Sequence, residues 1–252
     1  MLRTVCATRY VTPLREGGSL PAIIEADDLG LYVLKFRGAG QGALALVAEL
    51  IAGEIGRAAG LSVPELVFVK VDDALGRNEP DEEIRDLLRA SVGLNLALDY
   101  LPGSAMFDPA ARDPVDPWIA SQIVWFDAFV TNVDRTAKNP NLLYWHKGLY
   151  LIDHGAALYF HHDWRNAEQF VESRFPLIRQ HVLLPWADAI EEAASDLSNK
   201  LNPAVFAEIL EQVPDSWLPA ERRPAYVDLL TRRLRSSSNF VEEATRARAK
   251  LV

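Results

Sequence analysis

Short apolar runs dominate the first hundred residues, and apolar positions at helical spacing dominate much of the rest. "PAIIEA" and "LYVLKF" are separated by "DDLG", whose turn chemistry predicts a β-hairpin. From Gly42 to Gly60, residues Leu44, Ala48, Ile51, Ile55 and Ala58 recur at helical spacing, and Gly60 suits the position just past a helix end. "LSVPELVFVKV" predicts a strand entered through Pro64, and "VGLNLALDYL" predicts another before the break at "PGSAMFDP". Beyond that break, "PWIASQIVWFDAFVTN" predicts a helix with Pro117 near its start, where a missing N–H costs little. Two short strands, "NLLYW" and "LYLID", follow, and most of the chain from Pro203 onward has helical spacing. The pattern predicts an α+β chain of two lobes: a β-rich part with one strong helix over residues 1–103, and a helical part over 104–252. Tyr10, Trp118, Trp125, Phe126 and Phe129 are assigned to the core.

Composition narrows the class. In 252 residues, 49% are hydrophobic, which supplies a core and argues against global disorder. No apolar run approaches the ~18 residues needed to cross a bilayer, and "MLRTVCATRY" lacks the apolar stretch of a signal peptide, so a cytoplasmic protein is expected. A net charge of −9 argues against direct nucleic-acid binding, which needs clustered positive charge. The acidic segment Asp72 to Asp86 and the basic C-terminus are assigned to solvated faces. Cys6 is the only cysteine, so no intrachain disulfide forms; it is expected to be buried.

The densest polar segment lies between two apolar elements in "FDAFVTNVDRTAKNPNLLYW", and "GLYLIDHGAAL" follows almost at once. Asn139 stands five positions after Asp134, and Asp153 fourteen after Asn139. Phosphoryl transfer needs a carboxylate beside the attacking hydroxyl, with an amide and a second carboxylate holding magnesium against the phosphates. Asn and Asp supply the oxygen ligands that magnesium prefers. Protein kinases place the first pair in D-x-x-x-x-N spacing and the second carboxylate in D-F-G after a short hairpin. "DRTAKN" meets the spacing, and "NLLYWHKGLYLIDHG" supplies the hairpin with His154 where a Phe only packs. Upstream, Lys35 in "LYVLKF" resembles the phosphate-binding lysine of V-A-I-K, and both Glu49 and Glu54 in the next helix are candidate partners. The helical wheel favours Glu54, which lies beside the apolar stripe. Gly17, Gly18 and Ser19 offer a turn whose backbone N–H groups suit phosphate, although not in G-x-G-x-x-G form.

The run from "YVLKF" through "VAELIAGEIGRAAGLSVPE", "LALDYLPGS" and "DAFVTNVDRTAKNPNLL" to "YLIDHGAALYFHH" resembles the HipA-like kinase family, in particular its compact bacterial members. "VDRTAKN" and "LIDHG" are also similar to elements of phosphoinositide lipid kinases. The resemblance covers about Thr8 to His162 and implies a two-lobed, protein-kinase-like fold using ATP and Mg2+. It implies Asp134 as catalytic base, Asn139 and Asp153 as metal ligands, and Lys35 as the phosphate-binding lysine. It points to Glu49, against the helical wheel, as the partner of Lys35, and it places the segment gripping adenine at Asp99, Tyr100 and Leu101. The expected reaction moves the γ-phosphate to a hydroxyl, with a Ser/Thr of another protein or of the chain itself as acceptor. A small-molecule or lipid-head-group kinase and a non-catalytic nucleotide-binding module are the alternatives.

Several residues stay open on sequence alone. Arg135 either neutralises phosphate or forms a structural salt bridge. Lys138 is placed near the γ-phosphate, and Asn132 either caps the preceding helix or touches substrate. Ser236 to Ser238 is a candidate for self-phosphorylation, with a polar helix linker as the plainer reading. His154, His161 and His162 are close in sequence but lack H-E-x-x-H spacing, which argues against a zinc site.

Overall fold

The computed structural model describes residues 1–14, 20–40, 42–77, 79–111 and 114–251. Among the described residues, eight strands and eight α-helices alternate irregularly: β1 (Thr4–Pro13), β2 (Ala22–Ala26), β3 (Leu31–Lys35), α1 (Gly42–Ala58), β4 (Leu66–Val71), α2 (Glu82–Ala90), β5 (Gly93–Asp99), β6 (Ala105–Met106), α3 (Pro117–Val130), β7 (Leu142–Trp145), β8 (Gly148–Leu151), α4 (Ala167–Glu172), α5 (Ile190–Lys200), α6 (Pro203–Leu210), α7 (Arg223–Arg235) and α8 (Ser238–Arg248).

β1, β2, β3, β5 and β4 form a closed barrel in that order. The "DDLG" hairpin forms as the turn chemistry predicts, pairing Ile24 with Tyr32 and Ala22 with Leu34. β1 closes the ring by pairing in parallel with β4, Val5 opposite Val69. Strand alternation then sorts the side chains. Val67, Val69 and Val71 of β4 and Ala97 of β5 join Val5, Ile24 and Leu34 in one core, while Leu66, Phe68, Leu96 and Leu98 point to a second, larger core shared with α1 and α3. Burial on both faces explains why β4 and β5 read as continuous apolar runs.

α1 lies tight against β4. A Cβ on Gly53 would sit 2.7 Å from Leu66 Cδ1, so glycine permits the approach. Gly60 ends the helix with φ +89°, and Leu61 N–H donates to Gly56 O (2.9 Å) while Gly60 N–H donates to Arg57 O (3.0 Å). This paired closure relieves the last-turn carbonyls, as expected for Gly at this position. The acidic segment contains α2, capped by Asp81, which accepts from the N–H groups of Glu83 and Ile84. Glu82 and Glu83 sit at the positive end of its dipole, and only Ile84 and Leu88 are buried.

α3 is buried from Ala120 through Val130, as a mostly apolar sequence requires, with Ser121, Gln122 and Asp127 as its buried polar positions. Pro117 stands in its first turn behind the N-cap Asp116. Trp125, Phe126 and Phe129 are core residues as expected, whereas Trp118 is 38% exposed because it sits on the first, outward turn. Cys6 is exposed on β1, contrary to the expected buried thiol, because the core-facing position there belongs to Val5.

The C-terminal end of α3 is closed from outside the helix. Ala128 O accepts from Arg233 Nη2 (2.6 Å) and Phe129 O from Arg233 Nε (2.6 Å). Asp127 O accepts from Asn132 N (2.8 Å) and Val130 O from Leu158 N (2.9 Å). Arg233, on α7, is fully buried, with its guanidinium between the rings of Phe170 and Phe240 and further bonds to the carbonyls of Phe170 and Ser173. A cation here satisfies the last-turn carbonyls and faces the negative end of the helix dipole. Arg233→Met should therefore destabilise the protein by several kcal/mol, about 1–3 for each carbonyl left dry. A shift in the urea midpoint at constant slope measures it; a midpoint within error of wild type would refute this capping role.

Candidate functional site

The chain leaves α3 through Thr131 in the left-handed conformation and enters the polar loop of residues 132–141. One buried carboxylate organises this loop. Asp127, on α3, accepts from Asn132 Nδ2 (3.0 Å), Arg135 Nε (2.5 Å) and His181 Nε2 (2.8 Å). Leu183 N–H donates to His181 Nδ1 (3.0 Å), so the ring proton resides on Nε2 and the imidazole is neutral. Burial alone would raise the Asp127 carboxyl, but Arg135 and His181 outweigh it and hold it well below the usual carboxylate range. Burial pushes His181 down, with Asp127 opposing. Arg135 also donates to the carbonyls of Asn141 and, at 3.3 Å, Ile152. It thus pins the loop to α3 and to the strands that follow. Of the two readings open for Arg135, the structure supports the salt bridge. Asn132 likewise belongs to this hub.

With the loop pinned, Asp134 is set in place. Its N–H donates to Asn132 Oδ1 (3.2 Å), and its Oδ2 accepts from Asn139 Nδ2 (2.9 Å) and Asn141 Nδ2 (3.4 Å). Asn141 also donates to Asp134 O (3.0 Å). Thr136 and Asn139 exchange backbone hydrogen bonds (3.0 and 3.2 Å) around a tight turn. Lys138 stands exposed on that turn and does not line the cleft beside it.

β7 and β8 form the expected hairpin, Leu142 opposite Leu151, and deliver Asp153 in the left-handed conformation at φ 58°. Such backbone in a non-glycine residue persists where surrounding structure over-determines it. Lys35 Nζ lies 2.7 Å from Asp153 Oδ1 and 3.6 Å from Glu49 Oε2. Burial disfavours the Lys35 charge, yet Glu49 and Asp153 outweigh it and raise its pKa above the ordinary value. Burial likewise opposes the Glu49 charge, and Lys35 with His154 reverses it, leaving Glu49 far below its usual range. The helical wheel misplaces this partner. α1 packs against β4, β5 and α6 and is buried on most sides, so its apolar stripe does not mark one face; Glu54 instead pairs with Arg57 (3.2 Å). His154 does more than the packing expected of it, because its backbone N–H and Nδ1 both reach Glu49.

Lys35, Glu49, Asp134, Asn139 and Asp153 all line one cleft of about 780 Å³. Asp99, Tyr100 and Leu101 line it at the end of β5, where Tyr100 N–H donates to Leu31 O (3.0 Å). Burial, with Glu65 and Asp28 adding and Arg3 opposing, pushes the Asp99 carboxyl up. Val33, Leu46, Leu98, Met106, Leu143 and Ile152 add an apolar lining. The predicted glycine turn, Gly17, Gly18 and Ser19, lies outside the described residues. Gly40 and Gly42, just before and at the start of α1, line the cleft and escaped the sequence reading, as did Asn141. A second Asn two places after Asn139 was the available signal.

Ser236 sits at the break between α7 and α8, bonded to Glu172 (3.3 Å), and does not line the cleft. His154 and His161 are committed to Glu49 and to Tyr226 (3.1 Å), and among the described residues no cluster of three or more His, Cys, Asp or Glu forms a metal site. No described helix is long and apolar enough to cross a membrane.

Residues 8–243 match the family described as HipA-like kinase. No curated protein sequence matches the chain. Among solved structures, the chain is similar to the Helicobacter pylori proinflammatory kinase CtkA, with a TM-score of 0.62 at 13% identity over 100% of this chain and 99% of that one. It is also similar to the Golgi casein kinase with Mn and ADP bound, with a TM-score of 0.50 at 11% identity over 96% of this chain and 73% of that one.

Proposed function

The chain belongs to the HipA-like kinase family, and from that premise we propose that its cleft binds ATP with magnesium and passes the γ-phosphate to a Ser/Thr hydroxyl, on another protein or on the chain itself. The observation that carries this reading is the convergence of Lys35, Glu49, Asp134, Asn139 and Asp153 on a single cleft from four separate stretches of sequence. Residues 1–103, the barrel with α1 and α2, act as the nucleotide lobe, and residues 104–252 act as the helical lobe.

In this reading adenine lies along the apolar lining beside Asp99, Tyr100 and Leu101, and Lys35 reaches the α/β-phosphates, held in direction by Glu49. Asn139 and Asp153 offer oxygen atoms to the cation. Asn139 spends its NH2 on Asp134, which leaves its Oδ1 available, and this all-oxygen pair suits a hard ion completed by phosphate and water. Magnesium bound there supplies neutralisation of the charge on the β- and γ-phosphates. Asp134 accepts the proton of the acceptor hydroxyl as its oxygen bonds to the γ-phosphorus. The bond from that phosphorus to the β-γ bridging oxygen breaks, and ADP leaves.

A ligand that binds only the folded state stabilises it by mass action, by about 2.7 kcal/mol at one hundred times Kd. Saturating Mg-ATP should therefore raise the melting temperature by about 5–10 °C for a chain of this size. An unmoved melting curve would sink the nucleotide reading.

A further inference from the structure

His154 occupies a place where a packing ring would suffice. Its imidazole is fully buried and stands edge-on to Phe126, ring centroids 5.8 Å apart. Two of its polar atoms nevertheless reach one carboxylate: the backbone N–H donates to Glu49 Oε2 (2.9 Å), and Nδ1 lies 3.3 Å from Glu49 Oε1. An ionised carboxylate only accepts, so Nδ1 carries a proton toward it. Among the described residues the buried Nε2 has no partner. An orphaned buried polar atom costs about 1–3 kcal/mol, and a phenylalanine of similar shape would avoid it. A side chain that breaks a local rule in this way is expected where function rather than packing sets its identity.

The bond acts on Glu49, and Glu49 acts on Lys35. Glu49 lies 3.6 Å from Lys35 Nζ, and Lys35 Nζ lies 2.7 Å from Asp153 Oδ1, one residue before His154. The contacts therefore form a closed ring: His154 to Glu49, Glu49 to Lys35, Lys35 to Asp153, and Asp153 through its own peptide back to His154. We infer that His154 is a positioning residue, a latch that fixes Glu49, and through it Lys35, in register with Asp153. Without the Nδ1–H bond the Glu49 carboxylate keeps only the residue-154 backbone N–H on Oε2 and can turn about that contact, which loosens its grip on Lys35. The ammonium then leans toward Asp153 and off the phosphates. This inference rests on the nucleotide site proposed above.

The test is titration with Mg-ATP by calorimetry, paired with thermal melting, on the wild type, His154→Phe, His154→Asn, Glu49→Gln and the His154→Phe/Glu49→Gln double variant. His154→Phe should melt within a few degrees of wild type and bind Mg-ATP about tenfold more weakly, the usual scale for losing a residue that orients a ligating group. His154→Asn, whose amide can donate from near the Nδ1 position, should recover most of the affinity. With Glu49→Gln in place, His154→Phe should change Kd little further, because both act through one contact. Wild-type affinity in His154→Phe overturns the latch. So does a loss that adds in full to that of Glu49→Gln, or one that only follows loss of folded protein. If the wild type itself binds no Mg-ATP, the nucleotide site falls and the latch falls with it.

Discussion

Asp134→Asn should lower phosphoryl transfer by about 10²–10⁴-fold, the range for losing a positioned general base, while leaving the fold and Mg-ATP binding intact. The substitution is nearly isosteric, so the contacts to Asn132, Asn139 and Asn141 that set the side chain survive in outline. What disappears is the carboxylate's capacity to take the hydroxyl proton. Asp134 is only half-buried and lies outside the Asp127 hub, so stability should change by less than ~1 kcal/mol. The measurement is transfer of label from γ-labelled ATP into proteins or small metabolites of a cell extract. It separates protein from metabolite acceptors in the same experiment. An Asp134→Asn protein that transfers label within a few-fold of wild type would remove Asp134 from the role of base.

The elements legible in the sequence are those whose signal is local. The "DDLG" hairpin, the ends of α1 and α3, and the β7–β8 hairpin each follow from turn residues, a proline or a glycine acting on their neighbours. Barrel closure is different. The parallel pairing of β1 with β4 joins residues about sixty apart, and no periodicity in either strand encodes its partner. α2 was absorbed into an acidic stretch because two buried residues, Ile84 and Leu88, are too few to stand out. The site divides in the same way. Asp134, Asn139 and Asp153, which line the cleft, stand out in the sequence because the chemistry proposed for them fixes their spacing. Asn141 does not, since its task is to hold Asp134. Glu49 was misjudged by the helical wheel because a helix buried on most sides has no single apolar face. The role of Arg135 depends on Asp127, the one charged residue of a mostly apolar helix, and that charge is the signal available for the hub.

Asp127→Ala should be the most destabilising single change, at about 3–5 kcal/mol, because it strands the buried Arg135 guanidinium without a counter-charge. It also removes the acceptor for Asn132 and His181, so the loop carrying Asp134 loses its anchor to α3. Activity per folded molecule should fall as well. Much of the cost comes from the uncompensated charge, so Arg135→Met introduced into Asp127→Ala should cost less than the sum of the two single changes. The same hub makes stability depend on acid. The Asp127 carboxyl lies lower in the folded chain than its ordinary value near 3.9, so its contribution is complete above that pH and is lost as pH falls toward the folded value. His181 acts at higher pH. Its folded value lies below the ordinary ~6.5, so the unfolded chain takes up the extra proton first and stability declines as pH drops through that value. Urea unfolding at pH 7.5, 5.5, 4 and 3 should show wild type losing stability at each step. Asp127→Ala should start lower and lose less between pH 4 and 3, the window in which the Asp127 contribution disappears; a variant that tracks wild type in parallel across that window would show that the hub does not hold this loop.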